Sequence, residues 1–304
     1  MRRFVLALLL AFACACFTAG PGAAAAERPE PVLVTPAWLA DHLQDPNLVV
    51  LHVSSMRDDY TREHIPGARF LWPTWLVVST PDLGFEMPPV DSLGEVLRRL
   101  GVSNDSEIVV YHVLGDVAGA ARVFVTLDYL GMGGRTKILD GGLAAWKAAG
   151  GSVTTEEPEH PAGSLVPKVR QDVVYRLGTM RSRYDAPGIQ VLDARAPQDY
   201  NAAEGLSVFR GGHIPHAINV PMAAVLDSLD RYQPPDSLAA RFQRAGVKPG
   251  SEIITYCGLG RTACPVYVAA RMLGFNVHLY DGSFQEWSRR VDLPVENTKK
   301  KRPE

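Results

Sequence analysis

The chain repeats itself once, and this constrains its fold more than any other feature. "NLVVLHVSSMRDDYTREHIPGARFLWP" is answered further on by "GIQVLDARAPQDY" and "GGHIPHAINVP". "LRRLGVSNDSEIVVYH" is answered by "FQRAGVKPGSEIITYC", and "LDYLGMGGRTKILDGGLAAW" by "ARMLGFNVHLYDGSFQEW", in the same order. His64 and His213, Tyr111 and Tyr256, Asp140 and Asp281, and Trp146 and Trp287 lie 149, 145, 141 and 141 residues apart. An offset that drifts only by loop-sized steps means two copies of one domain, since a solenoid needs more and shorter repeats.

Within each copy, short apolar runs ("NLVVLHV", "EIVVYHV", "TKILD"; then "IQVLDA", "EIITYC", "VHLYD") alternate with helix-like stretches such as "SLGEVLRRLG" and "CPVYVAARMLG". Continuous apolar strands alternating with helices predict an α/β fold, each copy a small parallel sheet with helices on both faces. The expected boundaries are 31–151 for the first domain and 173–298 for the second, with a polar, proline-containing linker over 152–172 and a basic tail over 299–304.

The opening 1–26 has two arginines, a short apolar core and an alanine-rich end with Ala-x-Ala sites, the layout of a secretory signal peptide. Its apolar run, Phe4 to Phe17, is shorter than the roughly 20 residues that span a bilayer, so cleavage near Ala24 to Ala26 is expected and not stable membrane insertion. Cys14 and Cys16 raise lipidation as a minor option and leave with the leader. The expected location is the periplasm. What remains keeps only Cys257 and Cys264, so disulfide scaffolding does not hold this fold together. The 46% apolar composition suffices for proper cores, and a net charge of -2 argues against a nucleic-acid surface.

Cys257 stands in "YCGLGRTAC", between a buried strand and the next helix. Ligands of open α/β sheets bind at that edge. A tight loop's amides, the positive end of the following helix and Arg261 all favour a thiolate, which is the nucleophilic form. Gly258 and Gly260 allow the positive φ angles and close backbone approach that such a cradle needs. Cys264, at the helix start, lacks these companions and is expected to pack in the core; a disulfide between the two cysteines would silence the nucleophile.

"HIPHAINVP", "LDAR", "YCGLGRTAC" and "YDGSFQEW", in this order within a tandem repeat, resemble the two-domain rhodaneses, the thiosulfate and 3-mercaptopyruvate sulfurtransferases. The resemblance covers nearly all of the chain after the leader. It implies two rhodanese-like domains and a Cys257 persulfide, fed by a small anionic sulfur donor and discharged to cyanide or a thiol. It implies that Gly258, Leu259, Gly260, Arg261, Thr262 and Ala263 cradle that persulfide, and that Arg195 of "LDAR" binds the donor's charged group. The alternative for Arg195 is a salt bridge to Asp199 or Glu204; Arg210 either faces the same pocket or solvent. No cofactor is called for, and no Cys/His set has zinc spacing.

The first copy has His112 and "LHVSS" where the second has Cys257 and "LDAR", so it is assigned to structure and to shaping the pocket. His64 and His213 read as structural hydrogen-bonding residues, and Trp146 and Trp287 as anchors of helices. Thiosulfate is the expected donor, because a small dianion suits a glycine cradle with an arginine; 3-mercaptopyruvate is the alternative. A cysteine phosphatase would need an arginine at Ala263, and is set aside. A persulfide or anion carrier without turnover is the remaining rival.

Overall fold

The computed structural model describes residues 31–201 and 210–297. The expected leader (1–26) and basic tail (299–304) lie outside the described residues. Among the described residues, ten strands form two five-stranded sheets of the same order. The first runs β1-β5-β4-β2-β3, from β1 (Leu33–Val34), β2 (Leu48–Val53), β3 (Arg69–Leu71), β4 (Glu107–His112) and β5 (Thr136–Leu139). The second runs β6-β10-β9-β7-β8, from β6 (Val174–Tyr175), β7 (Ile189–Asp193), β8 (Ile218–Asn219), β9 (Glu252–Tyr256) and β10 (Val277–Tyr280). Every pairing is parallel.

Alternation along the strands distributes side chains to both faces. Val49, Leu51 and Val53 of β2 join one core, whereas Val50 packs with Leu39, Leu143 and Trp146 on the other face. Both faces are therefore covered by helices, as buried parallel strands require. The repeat is kept in detail. His64 and His213 stack on Tyr60 and Tyr200 at 3.8 and 3.7 Å, and each imidazole Nδ1 bonds the carbonyl of that tyrosine. The indoles of Trp146 and Trp287 donate to the carbonyls of Ser152 and Pro294.

The domains meet through the helices Val117–Tyr129 and Ala263–Met272. Both are buried over most of their length, which is why neither sequence shows a polar face. Phe124 and Leu127 share one apolar core with Val266 and Tyr267, so the two domains are joined by common core and not by a wet contact.

The segment 152–172, expected as a linker, is laid down as a strap. Amides of Gly163, Leu165, Lys168 and Arg170 donate to carbonyls of Arg98, Val102, Leu130 and Tyr129, and Leu165 is buried. Backbone bonding needs no apolar period, so a linker without one can still be pinned along its length. Among the described residues, no helix is long and apolar enough to cross a membrane.

Candidate active site

The central strand β9 ends at Tyr256, and Cys257 begins the loop leading into the helix Ala263–Met272. Register with β7 sets Asp193 beside Tyr256, and the amide of Ala194 extends that ladder by bonding the Tyr256 carbonyl at 2.9 Å. The tips of β7 and β9 thus bring "LDAR" and the cysteine loop to one sheet edge.

The loop's carbonyls are held outward. That of Cys257 accepts from the Phe284 amide at 2.9 Å, that of Gly258 from the Gln285 amide at 3.0 Å, and that of Gly260 from Arg122 Nη1 at 3.0 Å. The Gly260 amide then points at Cys257 Sγ, 3.1 Å away. Among the described residues, the amides of Gly258, Leu259, Arg261 and Thr262 make no hydrogen bond. Unpaired N–H groups at a helix start are donors able to stabilise an anion.

Only one of the two loop glycines uses its freedom. Gly260 has φ of 78°, and a Cβ there would stand 2.6 Å from the Asp281 carbonyl oxygen. Gly258 lies outside the left-handed region, and a Cβ there would meet nothing within 4 Å. The turn is made by Gly260, and Gly258 faces open space.

Cys257 is 1% exposed yet borders a cavity of about 690 Å³. Arg195, Gly258, Leu259, Arg261 and Thr262 border it too, against apolar walls that include Phe85, Met222 and Phe284. Cys264 lies behind the loop. Its S–H donates to the Gly260 carbonyl at 3.3 Å, and burial pushes its thiol up to about 12. The Gly260 amide serves one sulfur and its carbonyl the other; both cysteines are free.

Arg195 is locked, and among the described residues its carboxylate partner is Asp193 and not Asp199. Asp193 holds it: Nε lies 3.0 Å from both carboxylate oxygens, Nη2 lies 2.5 Å from Oδ2, and the backbone amide also donates to Oδ1. Two residues of separation around the strand end allow this fork, whereas Asp199 is a full helical turn further on; Glu204 lies outside the described residues. The guanidinium also donates to the Gly212 carbonyl and sits 4.0 Å from the Phe284 ring centroid. Arg210 borders the cavity, but its guanidinium is spent on the carbonyls of Ser288, Arg290 and Leu293. Arg261 does not face the sulfur alone; its Nη2 pairs with Asp116 of the first domain at 2.9 Å.

Several contributors escaped the sequence. Ser283 accepts the Cys257 amide on Oγ and donates to the Tyr280 carbonyl, with φ of 52°. A signal for it was present: its counterpart in the first copy, 141 residues earlier, is Gly142, with φ of 54°. Arg122, buried, crosses from the first domain to the Gly260 carbonyl and to Asp281 at 2.7 Å. Phe85 crosses likewise, held in the left-handed region at φ of 60°. Among the described residues, no group of His, Cys, Asp and Glu is arranged to hold a metal ion.

The arrangement suits nucleophilic attack by sulfur on a small anion in a confined, largely apolar cavity. A model of the rhodanese-like domain matches residues 35–149 and 177–290. The thiosulfate sulfurtransferase of Azotobacter vinelandii is 31% identical over 267 residues, 88% of this chain and 97% of that protein. The 3-mercaptopyruvate sulfurtransferase of Escherichia coli K12 is 32% identical over 274 residues, 86% of this chain and 96% of that protein. The crystal structure of SseA from Escherichia coli superposes with a TM-score of 0.75 at 29% identity, covering 83% of this chain and 98% of that one.

Proposed function

The chain belongs to the rhodanese family of sulfurtransferases, and from that premise we propose that it carries a sulfane sulfur from thiosulfate to cyanide or a thiol as a persulfide on Cys257. The observation that carries this reading is a cysteine at the foot of a cavity, with a loop amide on its sulfur and Arg195 and Arg261 on the walls. The Cys257 thiolate attacks the outer sulfur of thiosulfate; the S–S bond of the donor breaks and sulfite leaves with its electron pair. Cyanide or a thiolate then takes the outer sulfur, and the thiolate of Cys257 is restored. The spare N–H groups of Arg195 and Arg261 bind the donor's oxygens, and the loop amides hold the persulfide's charge.

A second donor, 3-mercaptopyruvate, is favoured by one observation. Both arginines already face a carboxylate, Asp193 and Asp116, which leaves less net positive charge for a dianion and suits a monoanion. Intact mass after incubation with each donor, followed by cyanide, decides between them. A gain of one sulfur on Cys257 that cyanide removes supports transfer, and the faster donor is the substrate. A gain that no acceptor removes would favour a carrier, and no gain from either donor on a free thiol would favour a module that only binds anions.

We further place the protein in the periplasm, exported by residues 1–26. Support comes from the arginine, apolar and alanine order of that segment. A periplasmic product starting near Glu27 is the expected mass-spectrometric result; an unprocessed cytoplasmic chain would refute it.

A further inference from the structure

Asp116 and Arg261 occupy the same position in the two copies, 145 residues apart, each just before one of the two buried helices that pack together between the domains. Equivalent positions near the axis of such a pair face each other. Here they carry opposite charges and bond, Nη2 to Oδ1, at 2.9 Å. We propose that Asp116, from the domain without the nucleophile, is the positioning residue of Arg261.

The clamp is itself fixed. Ser55 donates its amide to Asp116 Oδ2 at 2.7 Å and its hydroxyl to Oδ1 at 2.9 Å. The neighbouring Gly115 amide is tied to the Asp230 carboxylate at 2.6 Å. Asp116 therefore has little freedom, and one edge of the Arg261 guanidinium inherits that rigidity. The rest of Arg261 borders the cavity over Cys257, and its Nε is buried without a hydrogen-bond partner among the described residues.

Asp116 acts on a bound anion in two opposing ways. Its charge attenuates that of Arg261, while its bond spares Arg261 the rotamer entropy of ordering when the anion arrives. The Arg261 side chain is 34% exposed, so solvent screens the attenuation, whereas the ordering is unscreened. Orientation wins, and removing Asp116 weakens anion recognition even though it removes a negative charge.

This inference rests on the reading of the site as one for an anionic donor, but its test needs no donor. Cys257 is alkylated with iodoacetate and with iodoacetamide, and the ratio of the two rates reports how well the cavity receives an anion. Arg261→Ala is expected to lower the ratio about tenfold, the scale of one charge-assisted hydrogen bond. Asp116→Ala is expected to lower it several-fold, Asp116→Glu to recover part of the loss, and Asp116→Ala to add nothing in the Arg261→Ala background. A ratio that rises in Asp116→Ala, equal slowing of both reagents, or an effect persisting without Arg261 would each overturn the proposal. Should Asp116→Ala not fold, Asp116→Asn keeps a partner for Ser55 and is held to the same criteria. Sulfur loading is measured alongside. Loading by neither donor would sink the donor reading and leave the alkylation ratio to judge Asp116.

Discussion

The two loop glycines are expected to respond very differently to alanine. Gly260→Ala places a side chain on a residue with φ of 78°, which costs about 1–2 kcal/mol in the backbone alone. Its Cβ would also stand 2.6 Å from the Asp281 carbonyl oxygen, main chain that cannot swing aside, and 3.4 Å from Arg122 Nη1. Relief requires the loop to move away from β10. That strains the 3.0 Å bond between Arg122 and the Gly260 carbonyl, a charged hydrogen bond worth about 1.5–3 kcal/mol. A total loss of about 3 kcal/mol is expected. The same shift carries the Gly260 amide off Cys257 Sγ; a misplacement of about 1 Å at a reacting group costs about 100-fold in rate. Gly258→Ala has no contact within 4 Å and no left-handed φ, so stability should stay within about 0.5 kcal/mol and loading within a few-fold. Urea unfolding and single-turnover sulfur loading, quenched for intact mass, measure both. Equal effects of the two alanines, or wild-type loading by Gly260→Ala, would refute the reasoning.

Cys257→Ser should abolish loading while the fold survives, whereas Cys264→Ser should keep most activity, and Cys264, at about 12, should resist iodoacetamide at neutral pH in the folded protein; peptide mapping and loading assays check both. Arg195→Lys keeps the charge but loses the planar fork that meets Asp193 and stacks on Phe284, so the donor KM should rise about tenfold with far less change in transfer to cyanide. Glu86, at the domain interface, is pushed up from 4.5 to about 7 by burial and then by the charge of Asp281. The native state then holds its proton to higher pH than the unfolded chain, so the contribution of Glu86 to stability is fully present below 4.5 and is lost as pH rises through about 7. Glu86→Gln should flatten that decline in denaturant titrations taken across the window; an unchanged slope would show that Arg176, 3.0 Å away, already cancels it.

What the sequence made legible follows from where its signals are local. Strand–helix alternation survives in "EIITYC" and "CPVYVAARMLG", and so the parallel sheets and the place of Cys257 at a strand end could be read. The fork from Asp193 to Arg195 was not legible, because a contact across a strand end follows no helical spacing, although both residues sit in the same "LDAR". The strap over 152–172 was illegible because its order comes from main-chain bonds, which no side-chain pattern records. Arg122, Asp116 and Phe85 were missed for a further reason: each reaches the cavity or its loop from the other domain. Only the offset of 145 residues, which pairs Asp116 with Arg261, carried a hint.

The same offset explains what became of the first copy's loop. Each domain reaches over the other with one left-handed residue: Phe85, with φ of 60°, and Asp230, 145 residues later, with φ of 57°. Strain of this kind persists only where the surroundings fix it, and both residues are fixed. The Phe85 carbonyl takes Arg122 Nη2 at 3.0 Å, and the ring borders the cavity beside Cys257. Asp230 instead gives its carboxylate to the amide of Gly115, the counterpart of Gly260. The amide that faces sulfur in the second copy is therefore spent, in the first, on a carboxylate of the protein itself. That carboxylate is tethered, and a dissolved anion competes with it at a disadvantage set by effective concentration. His112 stands in the nucleophile's place, buried, with its Nδ1–H on the Val113 carbonyl and its imidazole pushed down by burial. The first domain is retained for what it supplies across the interface: Arg122 under the loop, Phe85 on the wall and half of the shared core. A second domain cut free would lose all of these at once, so the unit that can catalyse is the pair.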